Sequence, residues 1–419
     1  MDTIFAEATP PGRGGVSVIR LSGPAARAVL EDLAGRLEKP RRAYLRALRD
    51  DGELIDRALV LWFEKGGSFT GEEVAELHLH GAPIIGTRLF AALLARGIRR
   101  AEAGEFSRRA FLNGCMDLAE AEGLADLLSA ETEAQRKLAM QTANGETGRF
   151  VEELRATLIR AGALVEASID FADEEVPEDI PVETFELLGK VRAEIWKMLD
   201  RYPATERLRQ GYEVAIIGPP NAGKSTLLNR IAQRDIALVS DIAGTTRDVL
   251  ELRTDLKGLP VTFLDTAGLR ESEDLVERMG VARATERATR ADLRIHLSTD
   301  GVAVGQAGQD DLIVRSKADL GHSDEIAISG MTGEGVADLL DLVYDRLVVK
   351  AADSGLIGHK RQAEALERAV SWLDLRPSTA PEFVAEAIRR SIRDLEAMIG
   401  KIDAENYLDE IFSSFCIGK

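Results

Sequence analysis

Residues 218–225 read Gly-Pro-Pro-Asn-Ala-Gly-Lys-Ser, directly behind the apolar run from Tyr212 to Ile217. That spacing is suited to holding phosphate. The glycines let backbone N–H groups close around phosphate oxygens, Lys224 reaches the β- and γ-oxygens, and the Ser225 hydroxyl ligates Mg²⁺. Asn221, Ala222, Gly223 and Thr226 complete the cradle, and Thr226 to Ile231 continues as an apolar-striped helix. A second group, Asp265-Thr266-Ala267-Gly268, ends the apolar strand Val261 to Leu264. Its carboxylate is placed to hold a Mg²⁺-bound water, and the Gly268 N–H to touch a γ-phosphate. Between the two lies Ser240-Asp241-Ile242-Ala243-Gly244-Thr245-Thr246, where Thr246 completes the Mg²⁺ shell in a triphosphate state. A third group, Ser316-Lys317-Ala318-Asp319, follows the strand Leu312 to Val314. The Asp319 carboxylate can accept guanine N1–H and N2–H together, which adenine does not offer, while the Lys317 stem covers the base. Ser329 and Gly330 bring backbone N–H groups near guanine O6, and Met331 belongs to the same nucleotide site. These elements, in this order, predict a guanine-specific GTPase; the alternative is a P-loop protein of other specificity.

Two features depart from that pattern. Position 316 in such proteins is usually Asn, whose side chain braces the loop; Ser316 is shorter and braces it less. The strand Leu293 to Leu297 is joined to Leu312 by about a dozen residues, the lower limit for a parallel crossover. A helix there is predicted to be minimal or absent.

The elements that must position these groups sit in a longer chain. Its 419 residues predict two to four domains, and 45% apolar content is enough for ordinary cores. No window approaches 20 uninterrupted apolar residues, and Met1 to Phe5 lack the basic start of a signal peptide. Two cysteines, Cys115 and Cys416, make no disulfide framework, so a cytoplasmic protein is expected. A net charge of −18 argues against a general nucleic-acid-binding surface. Residues 1–115 carry 17 Lys and Arg against 15 Asp and Glu, +2, which leaves −20 elsewhere. The basic stretch Arg36 to Arg49 reads as a solvated face.

Residues 1–115 alternate at period two around Val16–Leu21, Ala58–Phe63 and Val74–His80, with helical patterns at Ala25–Leu37 and Pro83–Arg96. The expected fold class is therefore multidomain: an N-terminal α/β domain (1–115), an all-α part (116–209), a P-loop domain with a doubly wound sheet (210–349), and a second helical part (350–419). Helices are predicted at Arg149–Phe171, Glu183–Asp200, Lys360–Leu375 and Glu382–Ile399. A helical body interrupted by a nucleotide domain would bring that domain's two ends close together.

The start Asp2-Thr3-Ile4 with Ala8 to Gly15, the Thr70-Gly71-Glu72 turn, the run Gly104 to Asn113, the segment Asp241 to Asp248 and the tail Phe415 to Lys419 resemble the MnmE (TrmE) family of tRNA uridine-modification GTPases. The resemblance covers the whole chain in the same domain order. It implies an N-terminal domain that binds tetrahydrofolate, in the 5-formyl or methylene form, and forms a homodimer. It also implies a complex with the flavoprotein MnmG that installs a carboxymethylaminomethyl or aminomethyl group on carbon 5 of the wobble uridine of tRNA.

Hydrolysis should differ from that of Ras-type enzymes, which orient water with a Gln soon after Asp-x-x-Gly. Here Leu269 follows Gly268 and offers no hydrogen bond. The resemblance assigns the water-orienting role to Glu277, beside Lys224, Thr246 and Gly268; otherwise Glu277 is a surface carboxylate. It also makes Asn221 a K⁺ ligand, with Ser240, Ile242 and Thr245, and K⁺ there would neutralise developing charge much as an arginine finger does. The alternative is that Asn221 merely braces its loop. Folate contacts are implied at Arg20, Glu76 and Lys419, with Cys115 where the family has Lys. Glu76-x-His78-x-His80 shares one strand face and could hold a metal, although imidazoles there more often hydrogen-bond locally. Cys416 is either a nucleophile delivered to the folate or a small packing residue. For the whole chain, the alternative to the modification enzyme is a regulatory GTPase of ribosome assembly, which should carry a basic RNA-binding appendage. None follows residue 349.

Overall fold

The computed structural model describes residues 2–170, 180–234, 251–265, 287–303, 305–320 and 326–402, with Leu408, Ile411, Phe412, Phe415 and Gly418 of the tail. The chain forms two compact units. One comprises Met1–Ala125, Gly148–Val151 and Leu395–Lys419, and the other Asp126–Thr147 and Glu152–Asp394.

In the first unit, β1 (Ile4–Glu7), β2 (Val16–Ser22), β3 (Tyr44–Asp50), β4 (Glu53–Phe63), β5 (Val74–His80) and β6 (Arg99–Arg100) form one sheet in the order β3-β4-β5-β2-β1-β6. Neighbours are antiparallel except β1 and β6. The period-two pattern has its expected consequence: Ile19, Leu21, Leu77 and Leu79 are buried with α1 (Ala26–Ala34) and α2 (Pro83–Ala95). The opposite face carries Arg20, Glu76 and His78 with the exposed Val16, Leu45 and Leu59. Helix α1 stops short of the predicted Leu37 because Gly35, at φ 77°, turns out of the helix and donates its N–H to the Glu31 carbonyl.

The Gly104–Asn113 run forms α3 (Glu105–Leu112), and its residues work structurally. Arg109, almost fully buried, donates to Asp2, Glu72 and Glu105 carboxylates at 2.9, 3.0 and 2.9 Å. Burial opposes ionisation of Glu105, yet hydrogen bonds from Arg99, the Glu102 amide and Arg109 hold its carboxyl down at about 2. Gly104 must be glycine, since a Cβ there would lie 2.2 Å from the Phe412 carbonyl oxygen.

The helices α4 (Leu118–Ser129), α5 (Glu133–Ala143), α6 (Glu146–Asp170) and α7 (Val182–Gln210) follow in the chain. Thr132 and Gln135 close a capping box that starts α5. Helix α7 runs past its predicted end at Asp200 and through Pro203. The proline removes one N–H, but buried Thr205 and Leu208 anchor the following turns, and Gly211 at φ 96° ends them. In the second unit the sheet contains β7 (Tyr212–Ile217), β8 (Glu251–Leu256), β9 (Leu259–Asp265), β10 (Leu293–Ser298), β11 (Leu312–Ser316) and β12 (Ala327–Ile328), with α8 (Lys224–Ala232) between β7 and β8. Its order is β12-β11-β10-β7-β9-β8, parallel except for β8 against β9. The strand order reverses beside β7, the place where doubly wound sheets bind ligands. Among the described residues between β10 and β11 there is no helix. Asp311 gathers that crossover instead, accepting from Arg294, His296 and the Gly308 amide.

Helices α9 (Val336–Ala351), α10 (Lys360–Trp372) and α11 (Pro381–Met398) follow in the chain. α10 stops before the predicted Leu375, where the Leu373 N–H caps it on the Val370 carbonyl. After α9 the chain returns to the end of α7, where Gly355 donates to the Thr205 hydroxyl at 2.6 Å and Arg209 to the Gly358 carbonyl at 2.8 Å.

Candidate nucleotide site

At the carboxyl end of β7 the chain turns through 218–223 into α8, and the turn is tightly constrained. Asn221 at φ 61° and Gly223 at φ 97° both hold left-handed backbone, which exposes successive N–H groups to one concavity. Lys224 is buried and donates to the Gly218 and Pro219 carbonyls at 2.7 and 2.9 Å. Burial pushes its ammonium down in pKa, and the charge of Asp265 opposes this. The Ser225 hydroxyl donates to Asp265 Oδ2 at 2.8 Å, which unites two motifs separated in the chain. A hydroxyl and a carboxylate are the hard oxygen donors that Mg²⁺ takes, so the residues present suit that ion.

A cavity of about 790 Å³ runs from this loop to the ends of β11 and β12. Phosphate-loop residues 221–226 line it together with Ser316, Lys317, Asp319, Ser329, Gly330 and Met331. Ala318 does not line it; it turns in a short 3-10 segment that places Asp319. Leu297 and Ile328, which form part of the floor, were not anticipated. They end buried strands, and only the sheet order brings them under the loop. Arg230, in the last turn of α8, was missed as well. Its Nε donates to the Gly330 carbonyl at 3.0 Å and a terminal nitrogen donates to the Met331 carbonyl.

Ser240, Asp241, Ile242, Ala243, Gly244, Thr245, Thr246, Thr266, Ala267, Gly268, Glu277, Cys416 and Lys419 lie outside the described residues. In the first unit Arg20 pairs with Glu76 at 2.9 Å. His78 reaches Glu76 at 3.4 Å and His80 reaches Asp56 at 2.8 Å, so both imidazoles are engaged locally. Among the described residues no cluster of three or more His, Cys, Asp or Glu could hold a metal. Exposed Cys115 lies against the Thr70–Glu72 turn, where its sulfur would meet a Cβ on Gly71 at 2.8 Å.

Comparison with known proteins supplies what geometry alone does not. Residues 3–115 match the family described as GTP-binding protein TrmE N-terminus, and residues 118–416 match the MnmE helical domain. A protein of Paracoccus denitrificans named tRNA modification GTPase MnmE is 74% identical over 419 residues, covering all of both chains. Proteins of the same name from Roseobacter denitrificans and Cereibacter sphaeroides are each 50% identical over 428 residues, again at full coverage. Among solved structures, an Era variant from Aquifex aeolicus bound to GDP and AlF4⁻ is 24% identical and covers 32% of this chain and 56% of its own, with a TM-score of 0.25.

Proposed function

The chain belongs to the MnmE family of tRNA modification GTPases, and from that premise we propose that it turns over GTP with Mg²⁺ and K⁺ to drive modification of the wobble uridine of tRNA. GTP binding and hydrolysis in the service of tRNA modification are properties of that family, shared over the full length of the chain. The observation that carries the site assignment is the cavity that joins the phosphate loop to Asp319 and the Ser329–Met331 loop. Phosphate oxygens would take over the Lys224 donors now held by Gly218 and Pro219. Asp319, exposed at the mouth, can accept from the base edge.

Ser225 and Thr246 would hold Mg²⁺, with Asp265 behind them; when bound, the ion neutralises charge on the β- and γ-oxygens. Asn221 would hold K⁺ with Ser240, Ile242 and Thr245, and Glu277 would orient the attacking water. Turnover should therefore rise strongly in K⁺ over Na⁺ at matched ionic strength. Equal rates in the two salts, or full K⁺ stimulation retained in Asn221→Ala, would sink the cation assignment. Glu277→Ala should lower kcat with little change in GTP affinity, because a water-orienting carboxylate acts mainly in the transition state.

The N-terminal unit is proposed to bind a reduced folate through Arg20, Glu76, Cys115 and Lys419, and to pair with a second copy. The exposed Val16, Leu45 and Leu59 beside Arg20 and Glu76 support such a face. Calorimetry of the intact chain with 5-formyltetrahydrofolate tests this, and no binding up to about millimolar ligand would refute it. MnmG is the expected partner, and Cys416 a candidate nucleophile toward the folate. Nucleoside analysis of tRNA from cells lacking this protein tests the whole reading: loss of the carbon-5 modification at the wobble uridine is expected, and modification at the wild-type level would overturn it.

A further inference from the structure

The base end of the cavity is held by a residue that lies outside the GTPase motifs. Ser316 ends β11 almost fully buried, and among the described residues its hydroxyl has no hydrogen-bond partner. Among those residues it ties the base-side loops to nothing. The loop 329–335 is wired internally: Gly333 donates to the Ser329 carbonyl at 2.8 Å, Ser329 to the Glu334 carbonyl at 3.0 Å, and the Thr332 amide to the Ser329 hydroxyl at 3.2 Å. None of those bonds fixes the loop to the phosphate side.

Arg230 does. Its stem passes Gly333, where a Cβ would lie 3.7 Å from Arg230 Cδ, and its guanidinium takes the carbonyls of Gly330 and Met331. Gly330 is also pressed on the first turn of α8, since a Cβ there would sit 3.1 Å from the Leu227 nitrogen. A trans peptide points its C=O and N–H in opposite directions. Anchoring the Gly330 carbonyl on Arg230 thus fixes the direction of the Met331 N–H, and the Ser329 carbonyl held by Gly333 fixes that of Gly330. Both residues line the cavity. Resting on the reading of this cavity as a guanine site, we infer that Arg230 is a positioning residue for guanine recognition. It sets the Met331 N–H, one of the groups that would meet O6, and stands in for a brace that Ser316 is too short to provide.

The test uses the full chain and compares GTP with 6-thio-GTP, whose sulfur is a poor acceptor at the O6 position. Arg230→Ala should weaken GTP binding about tenfold, the scale for losing charge-assisted hydrogen bonds on a part-exposed loop. It should weaken 6-thio-GTP less than about threefold, so discrimination between the two falls, and the loss should appear in KM rather than kcat. Arg230→Lys, which keeps the charge and stem but not the planar fork, should lie between wild type and alanine. In a Ser316→Asn background, which restores the residue usual at that position, Arg230→Ala should cost less than about threefold. Equal losses for the two nucleotides, unchanged GTP affinity in both Arg230 variants, or the same cost with and without Ser316→Asn would each overturn the inference. A wild-type chain that binds ATP as tightly as GTP would instead overturn the guanine-site reading beneath it.

Discussion

Gly218→Ala provides a sharp physical test of the phosphate cradle. A Cβ built on Gly218 would lie 2.2 Å from the Leu297 carbonyl oxygen, 3.2 Å from its carbon and 3.3 Å from Ala222 Cβ. The obstacle is backbone at the end of β10, which cannot retreat. β10 is paired on one side with β7 through His296 opposite Ile217, and on the other with β11 through Leu297 opposite Val314. The loop must move instead, by roughly 1 Å, a displacement that can cost about 100-fold where geometry matters. The two carbonyls that receive Lys224 belong to Gly218 and Pro219 and would move with it. GTP affinity should therefore fall ~100-fold, or ~2.7 kcal/mol, while the sheet stays folded. Gly223→Ala meets no atom of the described residues within 4 Å, but φ 97° makes it strained, with an expected cost of ~1–2 kcal/mol. Gly189→Ala, within α7 and in open space, should leave binding alone and stabilise by ~0.5–1 kcal/mol. Calorimetric titration of each full-length variant with GTP, alongside circular dichroism, gives the ranking. Gly218→Ala binding within about threefold of wild type, or Gly189→Ala losing as much affinity as Gly218→Ala, would refute the steric reasoning.

Three further outcomes are expected. Asp319→Asn should relax guanine recognition so that xanthine nucleotide gains on GTP; unchanged selectivity in competition binding would show that Asp319 does not read the base. Asp117 caps α4 and lies against Gly148, and burial pushes its carboxyl up to about 6. A raised folded pKa contributes stability fully present below about pH 4 and lost as pH rises towards 6. Asp117→Asn should therefore remove up to ~3 kcal/mol of that decline, read as the difference between wild-type and variant denaturation at pH 4 and pH 7. Arg109→Met should destabilise the first unit by ~3–5 kcal/mol, because three carboxylates lose their buried partner. Trp62 fluorescence, after the exposed Trp196 and Trp372 are changed to Phe, reports that unit alone, and a loss below ~1 kcal/mol would mean the network is dispensable.

What the sequence determined by itself was local. The phosphate loop is legible because glycines at fixed spacing between an apolar strand and an apolar-striped helix permit one backbone path. The period-two runs of the first unit are legible for the same reason, since a strand's faces alternate whatever it pairs with. The failures came where a distant partner decided the outcome. Helix α7 continues through Pro203 because the return of the chain at Gly355 seals Thr205, a contact between positions remote in sequence. Ser225 meets Asp265 only because β7 and β9 are parallel neighbours. Arg109 stands in a run that the sequence marks by resemblance alone, and its partners show only when folding brings Asp2 and Glu72 to it. Arg230 carries no motif at all. Its role exists because the doubly wound sheet sets α8 beside the loop after β12, and a guanidinium reaches carbonyls that no sequence pattern could have shown to be there. Dihedral preference and hydrophobic period are written residue by residue, whereas a side chain's partners depend on strand order, which the chain settles only when the whole core closes.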